Sequence, residues 1–268
     1  MQIKRITLYF VAVLCLLNGG YIIAQVLPPT NIDASIALKL PGNDAINYPL
    51  KGAAGEQSIQ LKADKDIPVI ITRTIKGNLM EVVIQANEDV YFNFKQRIKT
   101  SYSHDDCQFY MPGFWYRRNL RSPKEAPSFH TSDSWTVRED RLSVPMTAVF
   151  NEKTGDYLSV MRIDDFTHEA LTTHKEGEVI VSGKTSIGYT GFENVDNNAH
   201  LSFGFPYYET PKTYIRKLTL APPVEAFQHL KKGESIQLTW LLYSGKASDF
   251  SGLISQLWEY SYDTWRPE

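Results

Sequence analysis

The side chains that could do chemistry in this 268-residue chain crowd into "CQFYMPGFWYRRNLRSPKEAPSFHTSDSWTVRED", residues 107–140. Trp115, Tyr116 and Trp135 offer flat π faces of the kind that stack on the C–H faces of pyranose rings. Arg117, Arg118, Asn119, His130 and Asp133 add planar or bidentate groups suited to vicinal hydroxyls or a uronate. Glu139 or an aspartate here would serve as a general acid only if burial raised its pKa. Two plainer readings stand beside these. The stretch is a partner-facing surface, or it is a self-packed connection whose arginines pair with Asp133, Glu139 and Asp140. Residues 104–141 show little strand pattern, and connections of that length in compact domains are usually functional or disordered. Seven aromatic rings, from Phe109 to Trp135, argue against disorder.

Other candidate chemistry is thinner. "VSGKTSIG", residues 181–188, resembles a phosphate-binding loop, but the required first glycine falls on Glu178, and the segment reads as a sheet turn within a β-hairpin. His104 with Cys107, and His168 with His174, lack the paired spacings of zinc sites. Asp105–Asp106 and Asp164–Asp165 carry oxygens a calcium ion accepts, yet turn chemistry explains them as well. His200 alternates into a strand and reads as a surface or satisfied histidine. No Gly-x-Ser-x-Gly elbow is present, so nucleophilic catalysis has no support. Neither a metal nor a cofactor is implied.

The elements that must position these groups are strands. Short β-branched and aromatic runs such as "IPVIITRT", "LMEVVIQA", "DVYFNFKQ", "YLSVMRID" and "HLSFGFP" recur between turn formers. In "SIQLTWLLY", Ile236, Leu238, Trp240 and Leu242 alternate with polar residues, the mark of a half-buried antiparallel strand. The fold class is all-β, a large antiparallel sandwich or supersandwich. Two helices interrupt it. "PPVEAFQHLKKG", residues 222–233, reads as a short helix with Pro223 near its start and Gly233 as its stop. At the C-terminus Phe250, Leu253, Ile254, Leu257, Trp258 and Tyr262 recur at helical spacing, with Ser248 or Asp249 as cap. That apolar helix lies back on the sheet or leads into a further domain.

Residues 1–24 read as a signal peptide. Lys4 and Arg5 precede the apolar run Ile6–Leu17, which is too short to span a bilayer, and cleavage fits Ala24–Gln25. Leu14 before Cys15 argues against a lipid anchor. Cys107 is then the one cysteine left, so the expected compartment is the periplasm or cell surface of a bacterium, reached without a disulfide. Residues 25–246 form the sandwich, and 247–268 the C-terminal helix. A net charge of −2 supplies no basic field for nucleic acid or anionic lipid.

Three stretches carry a resemblance: "DDCQFYMPGFWYRRNLRSPKEAPSFHTSDSWTVREDRLS", "FQHLKKGESIQLTWLLYSG" and "LWEYSYDTWRP". The chain resembles the N-terminal region of exported Bacteroidetes proteins in which a β-supersandwich precedes a larger (α/α) toroid. That layout is similar to two-domain glycoside hydrolases, phosphorylases and polysaccharide lyases. Members of the group also carry the label glycerophosphodiester phosphodiesterase, which expects a metal-binding barrel with a His-Arg pair and a Glu-x-Asp motif. Neither pattern occurs here. The resemblance implies a non-catalytic domain that supports or lines a glycan-binding cleft. It implies a helical catalytic domain after residue 268 and no activity for this chain alone. An independent carbohydrate-binding or protein-interaction module is the alternative.

Overall fold

A computed structural model describes residues 31–40, 43–52, 58–119, 132, 134–164, 177–181, 185–210, 212–213, 220–221 and 224–266. The signal-peptide segment, His130, Asp133 and most of the strand run at 213–220 lie outside them. The described chain forms nineteen strands and one α-helix. The strands are β1 (Ile32–Lys39), β2 (Ile46–Leu50), β3 (Ser58–Leu61), β4 (Val69–Lys76), β5 (Leu79–Ala86), β6 (Val90–Ile98), β7 (Cys107–Met111), β8 (Trp115–Arg117), β9 (Trp135–Arg138) and β10 (Met146–Asn151). They continue with β11 (Asp156–Arg162), β12 (Gly177–Ile180), β13 (Tyr189–Val195), β14 (Asn198–Phe205), β15 (Tyr208–Glu209), β16 (Lys212–Thr213), β17 (Leu220–Ala221), β18 (Val224–Leu230) and β19 (Ser235–Lys246). The helix, α1, is Phe250–Trp265.

Two sheets make the sandwich. One has eight strands in the order β3-β4-β5-β19-β11-β10-β7-β8, all antiparallel. The other has nine, running β12-β18-β6-β14-β13-β9, with β1 and β2 joined through β6 and β15 through β18. Strand β6 is the organiser of this sheet. It pairs with β1 along its length on one side, and on the other with β14 towards its end and β18 at its start. The period of two in β4 and β5 buries Ile71, Ile75, Met80, Val82 and Ile84 against Phe92, Phe94, Leu201 and Phe203 from the facing sheet. Leu238 and Trp240 of β19 join them as the alternation in "SIQLTWLLY" predicts, and the Trp240 ring meets Phe203 edge-on at 5.4 Å.

The all-β reading holds, with three corrections. The segment expected to be a short helix at 222–233 is strand β18 where it is described. It pairs antiparallel with β6 and β15 and parallel with β12. Ala226, Phe227, Gln228 and Leu230 are all buried, so apolar residues occupy both faces and no alternation marks the strand. Second, the strands flanking 181–188 do not form a hairpin: β12 lies at one end of the sheet and β13 near the other. Third, the long connection at 104–141 holds strands β7, β8 and β9. Cys107, Phe109 and Met111 of β7 enter the central core while Tyr110 faces the opposite way. With both faces covered, the two-residue rhythm is hidden in the sequence.

Helix α1 lies on the outer face of the eight-stranded sheet. The Asp249 carboxylate caps it by accepting from the Gly252 N–H at 2.8 Å. Phe250, Leu253, Leu257 and Ser261 are buried, three and four residues apart. The apolar members of that row pack on Tyr110, Met146, Phe150, Tyr157, Met161 and Tyr243. The expectation that the helix lies back on the sheet is met.

Candidate functional site

The structure divides the predicted site residues into supports and surface. Trp115 and Trp135 are fully buried, their rings 5.7 Å apart, and Trp115 meets Phe192 edge-on at 5.0 Å. Their indole N–H groups are spent on the Arg117 and Ser132 carbonyls at 2.8 and 2.7 Å. Neither ring has a face left for a sugar, so the expectation that they are stacking platforms is corrected: they are core. Apolar burial of two large rings outweighs what an exposed face would gain. Arg118 is a clamp. Its guanidinium donates to the Cys107 carbonyl at 3.1 Å and to the Asp105 carbonyl, and approaches Glu152 at 3.5 Å. His130 and Asp133 lie outside the described residues.

Tyr116 and Arg117 do face outward, on the short hairpin in which Tyr110 pairs with Tyr116 and Phe109 with Arg117. Tyr116 is 48% exposed. Its hydroxyl accepts from the Gly113 N–H, and its own N–H donates to the Asn119 side chain. Arg117 sits at φ 58°, a left-handed conformation that costs a non-glycine residue roughly 1–2 kcal/mol. There its guanidinium lies 5.5 Å from the centre of the Phe250 ring. The hairpin is thereby tied to the start of α1.

Tyr110 is the common base of this surface. Its ring meets Tyr116 at 5.4 Å and Phe250 at 6.4 Å, both edge-on, and the Trp258 side chain stands beside its hydroxyl. Burial pushes the Tyr110 phenol up to about 12, so the hydroxyl stays neutral. Above it Trp258 is 55% exposed and Tyr262, one turn further along α1, is 61% exposed. The sequence pattern counts both among the apolar stripe of the helix, yet they flank that stripe on the solvent side. Tyr116, Arg117 and Trp258 thus form an aromatic–guanidinium surface on a packed base. It can stack and donate hydrogen bonds; it holds no acid–base pair.

A second polar cluster lies inside the sandwich. Glu139 Oε2 accepts from Arg162 Nη1 and from the Gly188 N–H, each at 2.8 Å. Arg162 also donates to the Ser186 carbonyl and to Asp164 Oδ2, each at 2.8 Å, and its guanidinium covers Phe205. Burial acts to lower the Arg162 pKa, but Glu139 and Asp164 outweigh it and the net direction is upward. Burial leaves the Glu139 carboxyl raised, against the opposing pull of Arg162 and the Gly188 N–H, the two donors that Oε2 accepts. Gly188 is required here, because a Cβ would stand 2.5 Å from the Gly204 carbonyl oxygen. Arg138 pairs with Asp140, and Arg141 with Glu209 at 2.8 Å. Of the pairings expected within the stretch, Arg138–Asp140 is present, Glu139 instead pairs with Arg162 of β11, and Asp133 lies outside the described residues. With no exposed side-chain surface, Glu139 braces the fold and is not placed to protonate a substrate. Asp164 accepts from Arg162 and from the Thr239 N–H, and Asp106 pairs with Lys153. Among the described residues no three His, Cys, Asp or Glu side chains converge.

No known protein family matches the chain, and no curated protein does. Among solved structures it is similar to a polysaccharide lyase at 11% identity and a TM-score of 0.39, over 85% of this chain and 27% of that one. It is similar to the GH36 α-galactosidase AgaB from Geobacillus stearothermophilus at 11% identity and 0.43, over 79% of this chain and 30% of the other. A GH31 family sulfoquinovosidase from E. rectale aligns at 9% identity and 0.30, over 85% and 30%. The chain therefore spans less than a third of the length of these neighbours. All three are carbohydrate-active enzymes by name, and likenesses this weak assign no residue a role.

Proposed function

We propose that this chain is the non-catalytic sandwich domain of an exported carbohydrate-active enzyme, and that its aromatic–guanidinium surface lines a glycan-binding cleft. The observation that carries the reading is the placement of Tyr116 and Trp258 on one buried ring, Tyr110, with Arg117 alongside. Flat, exposed and rigidly based rings next to a planar donor suit a sugar's C–H face and its hydroxyls. The class of enzyme comes from the resemblance of the quoted stretches, which also supplies the helical catalytic domain expected after Glu268. Trp115, Trp135 and Arg118 support this surface from behind, and His130 and Asp133 are candidate hydroxyl contacts on the same stretch.

In the complete enzyme, Tyr116→Ala and Trp258→Ala are each expected to raise KM on a polymeric glycan about tenfold, the loss of roughly 1.4 kcal/mol of stacking. Turnover on a small aryl glycoside stays as in the wild type, and the chain by itself hydrolyses neither. Unaltered KM in both variants refutes the cleft-lining role. A second reading, a protein-interaction module, is favoured by the exposure of Trp258 and Tyr262 on adjacent turns of α1. Under it Trp258→Asp abolishes an association that the chain shows in sedimentation, and KM is indifferent to Tyr116.

A further inference from the structure

The outward face of the nine-stranded sheet carries a different set of groups. Strand pairing brings Asp33 opposite Arg97, Ser35 opposite Lys95, Arg97 opposite Ser202 and Tyr189 opposite Gly204. By alternation these point away from Phe94, Ile98 and Leu201, which fill the core. They surround an open hollow of ≈ 260 Å³ lined by Ser35, Asn47, Arg97, Tyr189, Glu193 and Ser202, among others. That volume falls just below the range of drug-sized pockets, so it suits an occupant of one or two sugar rings in size.

Charge and satisfaction define what the hollow accepts. Arg97 donates through Nε and Nη2 to Glu193 Oε2, at 2.9 and 2.6 Å, so the pair is joined through one carboxylate oxygen. Lys95 pairs with Glu225 at 2.8 Å, and Lys99 with Asp33 at 3.0 Å. Each cation is matched by a carboxylate, so the face attracts neither anions nor cations strongly. The carboxylate and guanidinium of the Arg97–Glu193 pair lie side by side, an acceptor next to donors, which is the complement of a vicinal diol.

Tyr189 forms the floor. It is fully buried, with its ring close to Gly204, where a Cβ would stand 2.7 Å from the ring's Cε1. No group meets its hydroxyl at good hydrogen-bonding geometry, although Ser202 stands beside it at poorer geometry. Burial holds the phenol well above its ordinary pKa, so the proton stays on. A buried hydroxyl without a partner is destabilising, and a ligand hydroxyl would supply the missing bond.

We propose that this hollow binds a neutral sugar, with Glu193 and Arg97 holding a vicinal diol and the Ser202 and Tyr189 hydroxyls completing the contacts. The site stands on different strands from the Tyr116–Trp258 surface and does not depend on it. The test is NMR titration of the whole chain with methyl glucoside, methyl galactoside, methyl mannoside and their β-linked disaccharides. Saturable shifts around Arg97, Glu193 and Ser202 are expected with at least one of these sugars. Glu193→Gln and Tyr189→Phe should each weaken binding about tenfold, and Trp258→Ala should leave it intact. Tyr189→Phe keeps the ring beside Gly204, so its thermal stability reports whether the fold survives. Glucuronate should bind no tighter than glucose. Silence across the sugars, full binding by folded Tyr189→Phe and Glu193→Gln, or loss of binding on Trp258→Ala alone overturns the assignment. The cleft-lining role of Tyr116 and Trp258 is tested by KM in the complete enzyme, so either proposal can fail without the other.

Discussion

Glu139 of the turn after β9 and Arg162 at the end of β11 lie 2.8 Å apart with their side chains almost wholly out of solvent. The bond joins the two sheets, since β9 belongs to the nine-stranded sheet and β11 to the eight-stranded one. A buried pair of this kind contributes modestly by itself, but removing one member strands the other charge. Arg162→Met is therefore expected to destabilise by about 3–5 kcal/mol, and adding Glu139→Leu to recover a good part of that loss. Urea unfolding of the wild type, both single variants and the double variant gives the coupling. If the double variant loses the sum of the two single losses, the pair is not a unit.

The tryptophans of the aromatic stretch and of α1 should separate in stability. Trp115→Ala and Trp135→Ala each empty a fully buried indole site and are expected to cost about 3–5 kcal/mol. Trp258→Ala removes a ring that is more than half exposed and should cost less than about 1 kcal/mol. Chemical denaturation of the three variants makes the comparison. Equal losses at Trp258 and Trp115 would place Trp258 in the packed core and remove it from any surface role.

The sheet-rich class was legible because β4, β5 and β19 each bury one face, so their sequences alternate. The helix α1 was legible for the same reason at a different period, and its cap was narrowed from Ser248 or Asp249 to Asp249. Strands β7 and β18 were not. Each is covered on both sides, β7 by the facing sheet and by α1, and a two-sided strand carries apolar residues on both faces and so loses its alternation. The same burial explains the misplaced platforms. Residue type alone marks Trp115 and Tyr116 as equally able to stack, while the two-residue alternation of the hairpin turns one inward and the other outward. The sequence reads Trp258 as part of the apolar stripe of the helix and not as a sugar platform, because its spacing fits that stripe, but the packed row is 250, 253, 257 and 261. The Glu139–Arg162 bond lies beyond local patterns altogether, joining residues that only the strand order brings together.

His200 sets a pH dependence. Its Nδ1 accepts from the Thr100 N–H at 3.2 Å, a bond that needs the neutral ring. Burial and then Arg97 lower its pKa, against the weaker pull of Glu193 and Asp33. The unfolded chain, with a histidine near 6.5, therefore takes up the proton before the folded protein does. Stability from this group is full above that pH and declines as pH falls below it, until the folded imidazole also protonates. Urea midpoints measured between about pH 8 and pH 5 should fall in the wild type and fall less in His200→Gln. A variant with the wild-type slope would move the effect to another group.

Cys107 reports on the hairpin that carries Tyr116 and Arg117. Burial, then Asp106, pushes the thiol up to about 12, and Sγ donates to the Ser103 carbonyl at 3.2 Å. At pH 8 it is both un-ionised and enclosed, so iodoacetamide should modify it only when the β7 region opens. Slow modification in the native protein, rising to the free-thiol rate in urea, is the expected pattern. Arg118→Ala cuts the clamp onto the Cys107 and Asp105 carbonyls and should speed native-state labelling, with the global unfolding midpoint shifted much less. Labelling that tracks only the midpoint in both proteins would mean that the hairpin opens with the whole sandwich, and that Arg118 does not hold the aromatic surface in place by itself.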